Sequence, residues 1–271
     1  MKKRVIPSFF LGLILVVLAS SCKSEFEKIR ASGDPKAIYE QAVVFYENEQ
    51  YQKAQTLFEL IINNLRGKVE AEKVYFYYAY THYHLQKYVL AAYYFKNFTN
   101  TFPNSQYREE SDFMKGYSNY QMSPTYRLDQ SYTEKAVDDF QLFVNTYPTS
   151  ERVAECNKLI DECRVKQEKK AFSQAELYFN LKQYQSATHS FENLLQNFPD
   201  TKQSESVRFL MTKAAYLLAV NSVYDKQEER YRNVLASSDA FFNKHPKSSY
   251  SKEIRTIRNT SNKKIKELSN D

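Results

Sequence analysis

One spacing returns down this chain and constrains it more than any other feature: Tyr or Thr, a small residue three positions on, Phe four further, and Pro eight beyond. It reads Tyr51, Ala54 and Phe58 (with Arg66 where proline is expected), then Tyr88, Ala91, Phe95 and Pro103. It returns as Thr133, Ala136, Phe140 and Pro148, as Tyr184, Ala187, Phe191 and Pro199, and in degraded form as Tyr231, Val234, Ser238 and Pro246. Recurrence at about 34 residues or somewhat more predicts stacked helical hairpins, because one hairpin cannot bury its apolar face alone. Such a stack presents a concave surface and no ready-made catalytic pocket. A binder is expected, not an enzyme.

The composition agrees. Four glycines and no tryptophan accompany 23 tyrosines, and Pro35, Pro103, Pro124, Pro148, Pro199 and Pro246 stand where helices should begin or loops bend. Sheets would demand more turn glycine. Helices are expected near 35–48, 51–65, 69–85, 88–101, 105–121, 131–146, 150–181, 184–197, 203–222, 229–244 and 248–268. The last, rich in lysine, suits the solvating cap that a solenoid requires. Residues 122–131 and 221–230 lengthen the third and fifth hairpins. Ser105, Thr149, Ser150, Thr201 and Ser248, just after the closing prolines, are placed to cap amides of the following helix.

The amino terminus carries its own signal. Met1-Lys2-Lys3-Arg4 precedes an apolar run from Phe9 to Ala19, then Ser20, Ser21 and Cys22. That run falls short of the ~20 apolar residues needed to span a bilayer and suits a secretory signal. Cys22 after small residues resembles a bacterial lipobox, with an ordinary cleaved signal as the plainer alternative. Several acyl chains on Cys22 would anchor the chain without a transmembrane helix, each buried CH₂ contributing about 0.8 kcal/mol. Loss of Lys2, Lys3 and Arg4 lowers the formal charge from +6 to +3, which gives no argument for nucleic acid. Four segments follow: signal peptide 1–21, lipidated polar tether 22–33, an amino-terminal half 34–148 with three repeats, and a carboxyl-terminal half 149–271 with two repeats and the cap.

The spacing is that of the tetratricopeptide repeat, so the expected fold is an all-α solenoid of about five hairpins with a carboxyl-terminal capping helix. Small partner slots fall on the first helices at Ala42, Ala79, Gly116, Ala175 and Ala214. Counting −3, +1 and +4 from them gives the residues expected to line the concave face. Repeats one to three supply Tyr39, Val43 and Tyr46; Phe76, Tyr80 and Tyr83; Phe113, Tyr117 and Tyr120. Repeats four and five supply Phe172, Glu176, Phe179, Met211, Ala215 and Leu218, so the aromatic stripe fades. Tyrosine offers an apolar face and a polar tip for an extended peptide. The alternative is that these rings only pack neighbouring first helices together.

Other chemistry is sparse. No phosphate loop or Gly-x-Ser-x-Gly occurs, no metal or cofactor site is expected, and His82 and His84 point about 200° apart on a helix. Cys156 and Cys163, about 10.5 Å apart along a helix, read as buried free thiols. Acidic pairs such as Glu109-Glu110 and Asp138-Asp139 read as solvated faces.

The combination of Cys22, five such repeats, the strings Tyr51–Glu59 and Ser123–Gln130, and Phe140–Phe143 with Tyr147–Ser150 resembles the BamD family. Its members are lipoproteins of the outer-membrane β-barrel assembly machine, and the resemblance covers nearly the whole mature chain. It implies a lipid-anchored, periplasm-facing scaffold in the outer membrane. The expected partners are a BamA-type insertase, held mainly by the carboxyl-terminal half, unfolded outer-membrane proteins received through their aromatic carboxyl-terminal signals, and other lipoproteins of the complex. Only Cys22 transfers by a motif match. Abundant Lys, Asn and Tyr fit a Bacteroidota-like source. Two rival readings stand beside this one: a scaffold for cell-wall synthesis or division proteins, and a SusD-type glycan binder, disfavoured by the short chain and absent tryptophan.

Overall fold

A computed structural model describes residues 25–65 and 70–270; Cys22 and the signal segment lie outside the described residues. Among the described residues every regular element is helical. Two compact units emerge. The first runs to Ser123 and includes Ser131–Ile160; the second comprises Pro124–Gln130 and the chain from Asp161 onward.

The first unit holds α1 (Glu25–Arg30), α2 (Pro35–Glu47), α3 (Tyr51–Ile62), α4 (Ala71–His84), α5 (Tyr88–Thr101), α6 (Arg108–Gln121), α7 (Ser131–Thr146) and the start of α8 (Val153–Asn180). The remainder of α8 leads the second unit, followed by α9 (Tyr184–Asn197), α10 (Ser204–Val220), α11 (Tyr224–Lys244) and α12 (Ser251–Leu268). The hairpins are α2/α3, α4/α5, α6/α7, α8/α9 and α10/α11. The chain is thus all-α and tetratricopeptide-like, as the spacing predicted.

The repeat residues explain why. Ala42, Ala79, Ala175 and Ala214 are fully buried, as are Ala54, Ala91, Ala136, Ala187 and Val234 opposite them. Small side chains at both slots let paired helices approach closely, and Phe58, Phe95, Phe140 and Phe191 seal each contact one turn on with no exposure. In the third hairpin the slot is Gly116, where an added Cβ would stand 3.1 Å from Asp139 Cβ and from the Phe140 ring. A side chain there would make Asp139 or the Phe140 ring give by a few tenths of an ångström.

Helix ends follow local chemistry. Asp34 caps α2 by accepting the Lys36 amide at 3.0 Å, with Pro35 in the first turn. The turns closing α2, α4 and α8 place Glu49, Gln86 and Lys182 at φ of 58°, 57° and 59°, a left-handed position usually given to glycine. Each is fixed by paired backbone bonds such as Lys87 N–H to His82 O and Gln86 N–H to Tyr83 O, both 2.9 Å.

Three expectations need correction. Residues 25–30, expected within a polar tether, form α1, whose Phe26 and Ile29 pack on the first core; Phe26 meets Phe45 edge-on at 5.8 Å. Helix α11 begins at Tyr224 instead of near 229, so a three-residue turn separates it from α10. The loop hydroxyls accept one step earlier than helix caps: Ser105, Ser150, Thr201 and Ser248 take the amides of Tyr107, Arg152, Gln203 and Tyr250, just before each helix.

Between α6 and α7, residues Pro124–Gln130 cluster with the second unit. The Gln130 side-chain amide donates to Thr125 O at 2.9 Å and Leu128 O at 3.0 Å, folding the loop on itself. Lys170 of α8 donates to Leu128 O at 2.6 Å, and Lys169 lies over the Tyr126 ring at 4.5 Å. Cys156 and Cys163 are free and buried, and burial pushes the Cys156 thiol up to about 11.

Candidate functional site

The first helices α2, α4 and α6 bring most of the aromatic face positions to one side of the first unit. Tyr39, Tyr46, Phe76, Tyr80, Tyr83, Tyr117 and Tyr120 are half-buried there. Phe113 is not on the face. At 2% exposure it lies beneath it, against Phe140 and Phe143, with the Arg152 guanidinium 4.0 Å above its ring.

The exposed positions divide by what their rings touch. Phe76 stacks on Tyr107 at 4.4 Å and meets Phe98 at 5.7 Å, joining the second hairpin to the start of α6. Tyr80 leans edge-on against Phe95 at 5.0 Å and donates its hydroxyl to Glu110, which pairs with Arg152 at 2.6 Å. Both residues bind hairpin to hairpin, and the packing alternative describes them well. Tyr46 is also engaged, with its ring 4.9 Å from Tyr77 and its hydroxyl 3.3 Å from His84 Nε2.

Tyr83, Tyr117 and Tyr120 form a staircase. Tyr83 stands 6.1 Å from Tyr117, and Tyr117 stacks on Tyr120 at 5.9 Å and 22°. Beneath it Phe113 supports Tyr117 at 5.6 Å and 18°. These rings are held in place by one another while keeping a half-exposed surface, the arrangement a binding face needs. Tyr39 and Val43 extend the face on α2.

Burial also sets the protonation of these phenols. Burial, then the neighbouring Tyr117 and Tyr88 hydroxyls, push Tyr83 up to about 12. Burial raises Tyr46 and Tyr80 as well, with Glu110 adding to the rise at Tyr80. These phenols stay neutral across the physiological range and can donate and accept hydrogen bonds.

In the second unit the same register is plainer. Phe172 packs on Phe191 at 6.2 Å and Phe179 on Tyr184 at 6.0 Å. Ala215 is buried, Glu176 is exposed, and Met211 and Leu218 are half-buried. The aromatic staircase belongs to the first unit.

Sequence reasoning missed the groups that fix this face: Glu110, Arg152, Tyr107, Tyr77 and His84. His84 lies flat on Tyr51 at 4.2 Å and 5°. Glu110 was legible only as half of an acidic pair on a solvated face; the turn that brings Arg152 to it follows Pro148, a non-local consequence of hairpin stacking.

Among the described residues no group of His, Cys, Asp or Glu is placed to hold a metal ion, and no helix is long and apolar enough to cross a membrane. Fold and face together define a helical-repeat protein with a cluster of half-buried tyrosines on its first unit. Comparison with known families carries the identification further: residues 31–230 match the family YfiO, described as an outer membrane lipoprotein. That is well over half of the 271 residues, and the chain belongs to this BamD-like family. No curated protein matches it.

Proposed function

We propose that the protein is a lipid-anchored scaffold subunit of the outer-membrane β-barrel assembly complex. In this reading it is moored through Cys22, faces the periplasm and performs no covalent chemistry of its own. It binds a BamA-type insertase and receives the carboxyl-terminal signals of unfolded outer-membrane proteins. The observation that carries the reading is the family match over residues 31–230, which spans α2 to the first part of α11. The Tyr83–Tyr117–Tyr120 staircase supports the peptide-receiving role, since an extended segment ending in aromatic residues would find rings to stack on and hydroxyls to bond.

The test is affinity purification of the full-length protein from detergent-solubilised outer membranes. The reading predicts recovery of a barrel insertase. Recovery of wall-synthesis or division proteins, with no insertase, would support the alternative of a scaffold for envelope biogenesis.

A further inference from the structure

Two grooves of the first unit are built from equivalent positions and end differently. Over α4, between α3 and α5, the space is filled from within by Gln55, Tyr78, His82 and Tyr94. The His82 ring stacks on Tyr94 at 4.8 Å and 19°, meets Tyr78 edge-on at 4.7 Å, and lies 3.2 Å from the Gln55 amide. The same register one hairpin later holds Ala92, Lys115, Asn119 and Asp139. These smaller or purely polar groups satisfy one another on the floor. Lys115 Nζ stands 3.2 Å from Asp139, and Asn119 donates to Asp139 at 2.7 Å. Between α5 and α7 an open cleft remains over α6.

Its walls are apolar and positively charged. Val89 and Tyr93 project from α5 at 58% and 56% exposure, and Leu142 from α7 at 56%. The floor carboxylate Asp139 is held by Lys115 and Asn119. Lys96 on one wall and Lys135 on the other are exposed and, among the described residues, form no ion pair, Lys135 resting over the Tyr132 ring at 4.9 Å. Asp138 is the wall carboxylate that offsets one of them.

We infer that this cleft is a docking site for an amphipathic α-helix of a partner protein. Its apolar stripe seats on Val89, Tyr93 and Leu142, and its flanking carboxylates meet Lys96 and Lys135. A helix fits where a strand does not, because the walls are helices whose backbone groups are spent on their own bonds and offer no ladder. The wall positions 89, 93 and 96, and 135, 138 and 142, recur at helical spacing along the cleft. Surplus positive charge on the walls selects for an acidic helix over a basic one. None of the face tyrosines lines this cleft, so the site is separate from the peptide face.

The probe is a pair of synthetic amphipathic peptides of about 18 residues, roughly 27 Å as helices. Both carry a leucine stripe, flanked by glutamate in one and by lysine in the other, and binding to the full-length protein is followed by fluorescence anisotropy. The glutamate peptide is expected to bind at least about tenfold more tightly, equivalent to about 1.4 kcal/mol. The double reversal Lys96→Glu and Lys135→Glu inverts that preference with the melting temperature unchanged, since both side chains are exposed. Tyr93→Ser weakens both peptides. Equal affinity for the two peptides, no binding by either, or a preference indifferent to the reversal would overturn the inference.

Discussion

Ser105 donates its hydroxyl to the carboxylate of Glu72 over 2.5 Å while accepting the amide of Tyr107. One side chain thereby fastens the loop that ends the second hairpin to the first turn of that hairpin's own first helix. Ser150 with Glu109 and Thr201 with Glu168 repeat the bond, each at 2.5 Å. All three acids stand seven residues before the small slot of their helix, at Ala79, Gly116 and Ala175. The repeat therefore encodes a polar staple as well as a packing seam. A hydrogen bond to a charged acceptor contributes about 1.5–3 kcal/mol, less when half-exposed. Ser105→Ala should cost about 1–2 kcal/mol by urea unfolding, whereas Ser105→Thr, which keeps the hydroxyl, should cost well under half of that. Equal losses in the two variants would show that the bond contributes nothing.

The left-handed turns give a prediction of opposite sign. A non-glycine residue at φ near 57° costs roughly 1–2 kcal/mol, while glycine returns about 0.5–1 kcal/mol of that through its freer unfolded chain. Gln86→Gly and Lys182→Gly should each raise stability by about 0.5 kcal/mol. A drop in the unfolding midpoint for either would mean that the side chain holds the turn by contacts outweighing its backbone strain.

His82 makes stability depend on pH. Burial, with a smaller contribution from Lys87, lowers its pKa from 6.5 to about 4. Below pH 6.5 the unfolded chain takes up a proton that the folded chain refuses, so this stability is complete above 6.5 and lost progressively as pH falls towards 4. The total is about 3 kcal/mol at 1.36 kcal/mol per unit. His82→Phe keeps a ring beside Tyr94 and should flatten the stability profile between pH 6.5 and 4. An unchanged slope in that variant would place the titrating group elsewhere.

At Gly116 the packing of the third hairpin can be probed directly. The neighbours that a Cβ would meet at 3.1 Å are Phe140, fully buried, and Asp139, tied to Lys115 and Asn119. Neither can retreat freely. Gly116→Ala should therefore destabilise by about 1 kcal/mol despite alanine's better helix propensity. A stabilised variant would mean that α6 and α7 can separate at little cost.

Much of the fold was legible because the repeat is written in residues whose size is dictated. Ala42, Ala79, Gly116, Ala175 and Ala214 can be counted along the chain without any knowledge of neighbours, and burial of all five follows from close helix approach. Helix α1 was not legible, since six residues with Phe26 and Ile29 offer too little periodicity to stand out from a polar stretch. The division of the tyrosines was not legible either. Positions −3, +1 and +4 of a first helix can serve a groove or pack the next hairpin, and only the arrival of Glu110 at Tyr80, and of Phe140 beneath Phe113, decides between them. The staples at Glu72, Glu109 and Glu168 were countable once the slots were known, yet Glu72 and Glu109 stand at helix starts, where carboxylates are common, and Glu168 lies mid-helix in α8 with nothing to single it out.

In the proposed role the first unit offers its tyrosine staircase to the aromatic-ended segments of unfolded barrel proteins. The most direct measurement is the affinity of the full-length protein for a peptide carrying such a carboxyl terminus, compared across Tyr117→Ala, Tyr120→Ala and Tyr80→Phe. Each of the first two should bind about tenfold more weakly, about 1.4 kcal/mol, with the fold retained. Tyr80→Phe, which loses only the hydroxyl held by Glu110, should bind as the parent does. Unaltered affinity in folded Tyr117→Ala and Tyr120→Ala would leave these rings a packing role alone and rule out peptide capture by this face.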